Sequence, residues 1–192
     1  HLAAILFIAP VLAWAIPPAT PEKMNQIYNE YWEESLQSSP LRATFIGDSR
    51  FNDRYGPVTS AERRAITKNM AEKYLARTAE FDPSGLPAED RISYDLLRYN
   101  LQQSLDGLKY PSQLIPINQI FGQHLSFAQL GSGRSAQPFR TVKDYDNWLA
   151  RAASFPAVID DWIADMKAGI KAGVVLPKAL VLPMLPQLEA LG

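Results

Sequence analysis

The sequence predicts an all-α protein, and three observations carry this prediction. Apolar residues recur at the spacing of a helix face in several segments. The 15 prolines punctuate the chain between those segments instead of forming a tract, and no useful length of chain alternates apolar and polar residues as a strand does. We therefore expect several amphipathic helices, together with a long irregular loop between residues 110 and 139.

The first predicted helix follows the proline-rich stretch 17–21. Thr20 can cap it, Pro21 suits its first position, and Pro40 ends it. Its apolar face carries Met24, Ile27, Tyr28, Tyr31, Trp32 and Leu36. The next segment, residues 43–57, is rich in turn residues and contains Asp48, Arg50, Asp53 and Arg54. These four either form a functional cluster or pair with one another and cap neighbouring helices, and we favour the second interpretation.

Two more helices are predicted in the first half of the chain. Ser60 is expected to cap a helix over about 61–80, and a further helix follows over about 87–108. The second of these is apolar on two stripes, which is typical of a helix packed between neighbours. The stripes are Ile92, Leu96 and Tyr99 on one side, and Tyr94, Leu97, Leu101, Leu105 and Leu108 on the other.

The segment 137–187 has the densest helical pattern and is predicted to be a packing segment. Thr141 and Asp144 have the spacing of a capping box. Pro156 either begins a second helix or kinks one long helix, and Gly173 is placed to end it. The packing face is expected to hold Phe155, Ile159, Trp162, Ile163, Met166 and Ile170, whereas Asp160, Asp161 and Asp165 are most simply a solvated face.

The first 15 residues are typical of a secretion signal. Leu2–Leu12 is apolar apart from Pro10, and residues 13–15 have the small-x-small form of a signal-peptidase site. The run is shorter than the about 20 residues of a membrane-spanning helix. We predict a signal peptide remnant over 1–15 and a mature, exported chain over 16–192, periplasmic or secreted; a buried N-terminal helix is the alternative. Because His1 begins the sequence and a predicted helix is cut at Gly192, we expect a fragment of a larger protein.

Composition excludes several kinds of site. A net charge of −1, with basic and acidic residues intermixed, argues against a nucleic-acid partner. With no cysteine and a single histidine after residue 15, the chain offers neither a thiolate nor a His-based zinc site. We therefore expect no metal, no cofactor and no catalytic residue in this chain. Long ordered loops often line clefts, and the residues we place nearest a substrate are Asn118, His124 and Lys178, although His124 is more simply a structural histidine.

Four segments carry a resemblance to a known family. They are PLRATFIGDSRFNDR (40–54), DRISYDLLRYNL (90–101), PINQIFGQHLSF (116–127) and QPFRTVKDYDNWLAR (137–151), the last running on to VLPK (175–178). Their order and spacing resemble the N-terminal third of the bacterial family called "domain of unknown function 885". The resemblance implies a mostly helical, exported protein with a His-Glu zinc-binding motif in its C-terminal half. The absence of a cysteine at the cleavage site favours soluble export over a lipid anchor.

Two functions follow from this resemblance and from the residues. In the first, the chain is the non-catalytic N-terminal helical part of an exported, zinc-dependent peptidase-like hydrolase of uncharacterised substrate. A metal-bound water would then attack a peptide carbonyl, with the metal and the catalytic glutamate encoded after Gly192. Its partners are the missing C-terminal part and a peptide substrate, with no stable membrane span. In the second, it is a non-enzymatic helical binding or scaffold domain of an exported bacterial protein.

Overall fold

The structure is a computed structural model that describes residues 16–120 and 122–189. Helices dominate these residues, which contain no strand or sheet, and the predicted all-α class is confirmed. The predicted signal peptide lies outside the described residues. Short 3₁₀ turns occur at Ser49–Phe51, Pro83–Gly85, Ser112–Leu114 and Leu182–Met184. The α-helices are α1 (Pro21–Ser38), α2 (Pro40–Phe45), α3 (Ser60–Ala79), α4 (Ala88–Gly107), α5 (Gln123–Gly131), α6 (Val142–Ala153), α7 (Phe155–Ala172), α8 (Lys178–Val181) and α9 (Leu185–Glu189).

Of the three residues predicted to cap a helix start, two do so in the structure. The Thr20 hydroxyl accepts a hydrogen bond from the Lys23 N–H at 3.3 Å, and Pro21 is the first residue of α1. At α6 the predicted capping box is confirmed, because Asp144 N–H donates to the Thr141 hydroxyl and Thr141 N–H donates to the Asp144 carboxylate. These contacts satisfy N–H groups that a helix start leaves without partners.

The cap of α3 differs from the prediction by one residue. Thr59, not Ser60, accepts a hydrogen bond from the Glu62 N–H, at 3.1 Å. Ser60 instead donates its backbone N–H to the Asp161 carboxylate of α7 at 2.7 Å, and Arg63 lies 3.7 Å from the same carboxylate. A side chain 101 positions away thus supplies part of the cap, which local spacing cannot show. The expectation that Asp161 is simply solvated was therefore wrong.

The segment 142–172 forms two helices, which settles the alternatives for Pro156. α6 ends at Ala153 and Pro156 is the second residue of α7, where its missing N–H costs no helical hydrogen bond. Gly173 ends α7 in the left-handed conformation, with φ of 71°. Both observations agree with the predicted roles of proline and glycine at helix ends.

The first core lies between α1, α3 and α4. Its buried apolar residues are Ala19, Met24, Ile27, Ala71, Tyr74, Leu86, Tyr94 and Leu101. α3 and α4 run antiparallel, and each caps the C-terminal carbonyls of the other. The Tyr94 hydroxyl of α4 donates to the Thr78 carbonyl at 3.1 Å, and Arg64 of α3 donates to the Leu108 carbonyl. These contacts satisfy acceptors that a helix end otherwise leaves free.

One predicted stripe of α4 is not covered. Tyr94 and Leu101 are buried in the first core, but Ile92, Leu96 and Tyr99 are 67%, 55% and 61% exposed. The expectation that α4 lies between neighbours on both sides is therefore not met by the described residues. The reason is that α1 and α3 pack on the same side of α4.

The second core gathers the C-terminal helices around α7. Tyr55, Ile117, Val158, Trp162 and Met184 are buried there, with Phe127 and Phe155 stacked at 3.9 Å between ring centroids. Phe127 belongs to α5, a helix inside the region predicted to be irregular. The flanking prolines and glycines hide its short apolar period, and it forms because Phe127 and Leu130 pack inward. Ile163 and Ile170, predicted on the packing face, are 40% and 69% exposed.

The segment before Ile117 crosses α7 closely, and this contact can be tested. A Cβ atom added to Gly169 would lie 2.6 Å from the Val174 carbonyl oxygen and 3.0 Å from that of Leu114. Both obstacles are backbone, so Gly169→Ala is expected to lower the free energy of unfolding by about 1–3 kcal/mol. Gly107→Ala is the matched control, because its Cβ would meet nothing within 4 Å. The control should be neutral or stabilising by up to about 1 kcal/mol in urea denaturation. Equal stability of both variants would contradict the close crossing.

Candidate functional site

A fully buried arginine joins α6 to the 40–54 segment. Arg151, near the end of α6, has no exposed surface. Its Nε donates to the Arg54 carbonyl at 3.0 Å, and its two terminal nitrogens donate to the Phe51 carbonyl at 2.8 Å, to the Thr44 hydroxyl at 2.7 Å and to the Gln137 side-chain oxygen at 2.6 Å. Four acceptors from three separate segments thus converge on one guanidinium group, whose planar fork suits several acceptors at once.

The charge of Arg151 is held without a direct carboxylate partner. Burial lowers the pKa of Arg151 to about 10, and the nearby negative charge of Asp53 opposes that shift. The group therefore stays positive at neutral pH, and oriented oxygen atoms solvate it in place of water. All three guanidinium nitrogens donate hydrogen bonds within the protein and none is exposed, so this cluster has a structural role.

The charged residues of the 43–57 segment pair mainly with one another. Arg50 contacts Asp48 at 2.6 Å and Glu33 of α1 at 2.7 Å, and Arg54 contacts Asp53 at 3.1 Å. Hydrogen bonds from Arg50 hold the pKa of Asp48 below its ordinary value. Asp48 also accepts from the Arg50 N–H at the start of a 3₁₀ turn. These contacts agree with the interpretation that the four residues pair and cap.

An apolar cleft runs along α7, and we call it the α7 cleft. It consists of two cavities that share Ile117 and Met166 as walls. The first cavity, of about 250 Å³, is lined only by apolar residues of segment 114–117, α7 and segment 174–184. The second, of about 200 Å³, is lined by Ile117, His124, Ile159, Trp162, Ile163, Met166 and Leu188. Among these walls, only His124 and the indole N–H of Trp162 carry a polar group.

His124 is buried in an unusual way. Only 7% of its surface is exposed, and neither ring nitrogen has a hydrogen-bond partner. Burial in this apolar setting lowers the pKa of His124 below its ordinary value of 6.5. The ring lies so close to Gly122 that a Cβ there would be 2.0 Å from the ring carbon Cε1. Gly122 is therefore required for the position of this ring and not for its backbone angles.

The structure separates the three residues predicted near a substrate. Only His124 lines the α7 cleft. Asn118 lies on the same connection, where its side-chain oxygen accepts a hydrogen bond from the Ile120 N–H at 2.9 Å and shapes a turn. Lys178 is exposed at the first position of α8. Their role in substrate binding stays a prediction, and so does the proximity of the 110–139 segment to a substrate.

Sequence reasoning missed Arg151. The signal was present, since Arg151 follows Trp148 by three positions and therefore falls on the inner side of an amphipathic helix. It also stands at the end of one resembling segment, 137–151, and binds residues of another, 40–54. What the sequence lacks is any indication of which distant backbone carbonyls would accept its hydrogen bonds.

The described residues do not supply a metal site or a membrane span. No three histidine, cysteine, aspartate or glutamate side chains converge anywhere in residues 16–120 and 122–189. Across the same residues, no helix combines the length and the apolar character needed to cross a bilayer.

These features define a class of protein: an all-α molecule with two larger helical cores, a smaller buried cluster of Leu36, Ala43 and Phe51, a buried arginine that ties α6 to the 40–54 segment, and an apolar cleft along one helix. The chain belongs to the family described as "Bacterial protein of unknown function (DUF885)", whose family model matches residues 40–192. The resemblance is thus confirmed at the level of the family. No curated protein and no solved structure matches the chain.

The Arg151 cluster predicts a large loss of stability on substitution. Arg151→Met is expected to lower the free energy of unfolding by about 3 kcal/mol or more, because several buried acceptors lose their donor. Arg151→Lys keeps the charge but not the planar fork and should recover only part of the loss. The exposed Arg134→Met should change stability by less than about 0.5 kcal/mol. Chemical denaturation measures all three, and a loss at Arg151→Met no larger than that at Arg134→Met would contradict the structural role.

Because His124 is buried, the free energy of unfolding is predicted to depend on pH. The unfolded chain takes up a proton at His124 near pH 6.5, whereas the folded protein does so only at lower pH. Between these two pKa values the unfolded state binds more protons, so the free energy of unfolding falls as the pH is lowered from about 6.5.

The measurement is urea denaturation between about pH 7.5 and pH 5. The wild-type chain should lose stability by up to about 1.4 kcal/mol per pH unit over the affected range, and His124→Leu should lose clearly less. His1→Ala, which changes the other histidine of the chain, serves as the control and should behave as wild type. Identical pH profiles for wild type and His124→Leu would show that the His124 pKa is not lowered.

Proposed function

We propose that this chain is the non-catalytic, N-terminal helical part of an exported, zinc-dependent peptidase-like hydrolase. Membership of the family and the all-α architecture support the proposal at a coarse level. The observation that carries it further is the apolar surface left uncovered on several helices. In this proposal that surface meets a further part of the same protein, and the two parts together form a substrate cleft.

The uncovered surface is arranged in stripes and not scattered. Ile92, Leu96 and Tyr99 expose more than half of their surface along one side of α4, and Val142, Tyr145 and Leu149 do so along α6. Contiguous apolar patches on a protein surface typically mark an interface or a ligand groove. The α7 cleft, with Ile163 and Ile170 at its rim, is also apolar, and in this proposal it is a wall of the substrate cleft and not a contact with the further part.

In this proposal the zinc ion is bound by residues other than the described ones. No three suitable side chains converge in the described residues, so they do not fit a zinc ion. We therefore derive no catalytic step from them. Their role is to pack, to hold the α7 cleft open and to present apolar walls.

The same stripes suit a helical binding or scaffold protein, and one experiment separates the two functions. The protein encoded by the complete gene would be purified from the extracytoplasmic fraction and incubated with quenched fluorescent peptides. We expect hydrolysis that a zinc chelator abolishes and added zinc restores. N-terminal sequencing of the same preparation should begin near Ile16.

The 192-residue chain by itself is the matched control. It should show no hydrolysis and no stoichiometric, submicromolar zinc binding by calorimetry. A tight zinc site in this chain would overturn the assignment of the metal to other residues. Absence of any chelator-sensitive hydrolysis by the complete protein, together with stable capture of a protein partner, would favour the binding or scaffold function.

A further inference from the structure

The α7 cleft has the size and the lining of a site for side chains. Its two cavities, of about 250 and 200 Å³, are each smaller than the 300–1,000 Å³ that is typical of pockets for drug-sized ligands. Ile117 and Met166 stand between them. Exposed Ile163 and Ile170 border the second and first cavity respectively, so both cavities reach the surface along α7. Two small, adjoining apolar spaces suit two apolar side chains better than one large ligand.

His124 supplies the polar feature of this cleft. A buried polar group without a partner is unfavourable, and both ring nitrogens of His124 are in that condition. In the present conformation the ring lies against Gly122 and borders the second cavity. Neither nitrogen is exposed to that cavity in this conformation, so a hydrogen bond to a ligand there requires the ring to turn, which would also remove the penalty.

Charge decides which ligand fits. No aspartate, glutamate, lysine or arginine lines either cavity. A carboxylate group, such as that of a fatty acid, would be buried there without a cation, which is strongly unfavourable. A neutral imidazole carries one N–H donor and one nitrogen acceptor. A peptide unit carries one C=O acceptor and one N–H donor, so the two groups are complementary.

We propose that the α7 cleft binds an uncharged peptide segment, with two apolar side chains in its two cavities and His124 hydrogen-bonded to the peptide backbone beside them. The inference rests on the proposed function for its biological role, since it names apolar peptide segments as the substrate class of the hydrolase. The proposed peptide binding itself does not require that the protein be a hydrolase.

The test uses short peptides acetylated at the N-terminus and amidated at the C-terminus. One tetrapeptide alternates leucine with glycine, and its partner has serine in place of each leucine. Calorimetry should give at least about tenfold tighter binding for the leucine peptide, because each cavity distinguishes an apolar from a polar side chain. In NMR spectra the ring signals of His124 should shift with the leucine peptide and stay in place with the serine peptide. This comparison requires no variant and no folding control.

Two variants test the role of the ring. His124→Leu should weaken binding of the leucine peptide about 3- to 10-fold, as expected for loss of a neutral hydrogen bond, while the preference over serine persists. Gly122→Ala should displace the ring, because the new Cβ would overlap it, and should weaken binding similarly. Leu149→Ala, on the exposed side of α6, is the matched control and should leave binding unchanged.

The outcomes distinguish this inference from the proposed function. Equal affinity for both peptides, or binding that leaves the His124 signals unmoved, would overturn the inference even if the complete protein hydrolyses peptides. Selective binding without any hydrolysis would support the inference and contradict the proposed function. Selective binding by the 192-residue chain that disappears in the complete protein would also overturn the inference, because a segment of the protein itself would then occupy the cleft.

Discussion

The placement of α6 on the 40–54 segment depends on one buried guanidinium group. Apolar packing accounts for each core separately, since α1, α3 and α4 cover one another and α7 packs with α5, Tyr55, Ile117 and Met184. Such packing is weakly directional and tolerates many relative placements. Arg151 is different, because its four hydrogen bonds require the carbonyls of Phe51 and Arg54, the Thr44 hydroxyl and the Gln137 amide to lie at fixed positions around it. The arginine therefore determines where α6 lies on the 40–54 segment.

A second polar contact ties α7 to the start of α3. Asp161 of α7 accepts the N–H of Ser60 at the start of α3 and lies near Arg63. A carboxylate is favourable at a helix start, where the helix dipole and unpaired N–H groups meet it. Together Arg151 and Asp161 place both α6 and α7 against the N-terminal half. The α7 cleft is a consequence, because it forms on the part of α7 that these contacts leave uncovered.

The cleft and the uncovered stripes share a physical cause. The described residues contain more amphipathic helix surface than they bury, so α4, α6 and α7 each keep an apolar strip at the surface. The α7 strip differs from the other two because cavities and an unpartnered imidazole accompany it. This difference is why α7 carries the ligand proposal, while the strips on α4 and α6 carry the proposed contact with a further part of the protein.

Much of the secondary structure could be predicted, because its signals are local. Thr20, the Thr141–Asp144 capping box and Gly173 mark helix ends through contacts within a few residues. The short helix α5 was missed because Gly122 and Gly131 bound a segment too brief to show a period. For the candidate site, the sequence singled out His124 but gave no indication that its two nitrogens lack partners.

The sequence by itself determined the all-α class, most helix boundaries and the set of apolar residues available for burial. Only the tertiary structure decided which of them are buried: Tyr94 but not Leu96 on α4, and Trp162 but not Ile170 on α7. It also decided that Arg151 ties α6 to the 40–54 segment and that His124 borders a cleft. The physical reason is the separation along the chain between the residues that interact. Helix periods and caps depend on neighbours three or four residues away, whereas Arg151 meets Thr44 across 107 positions.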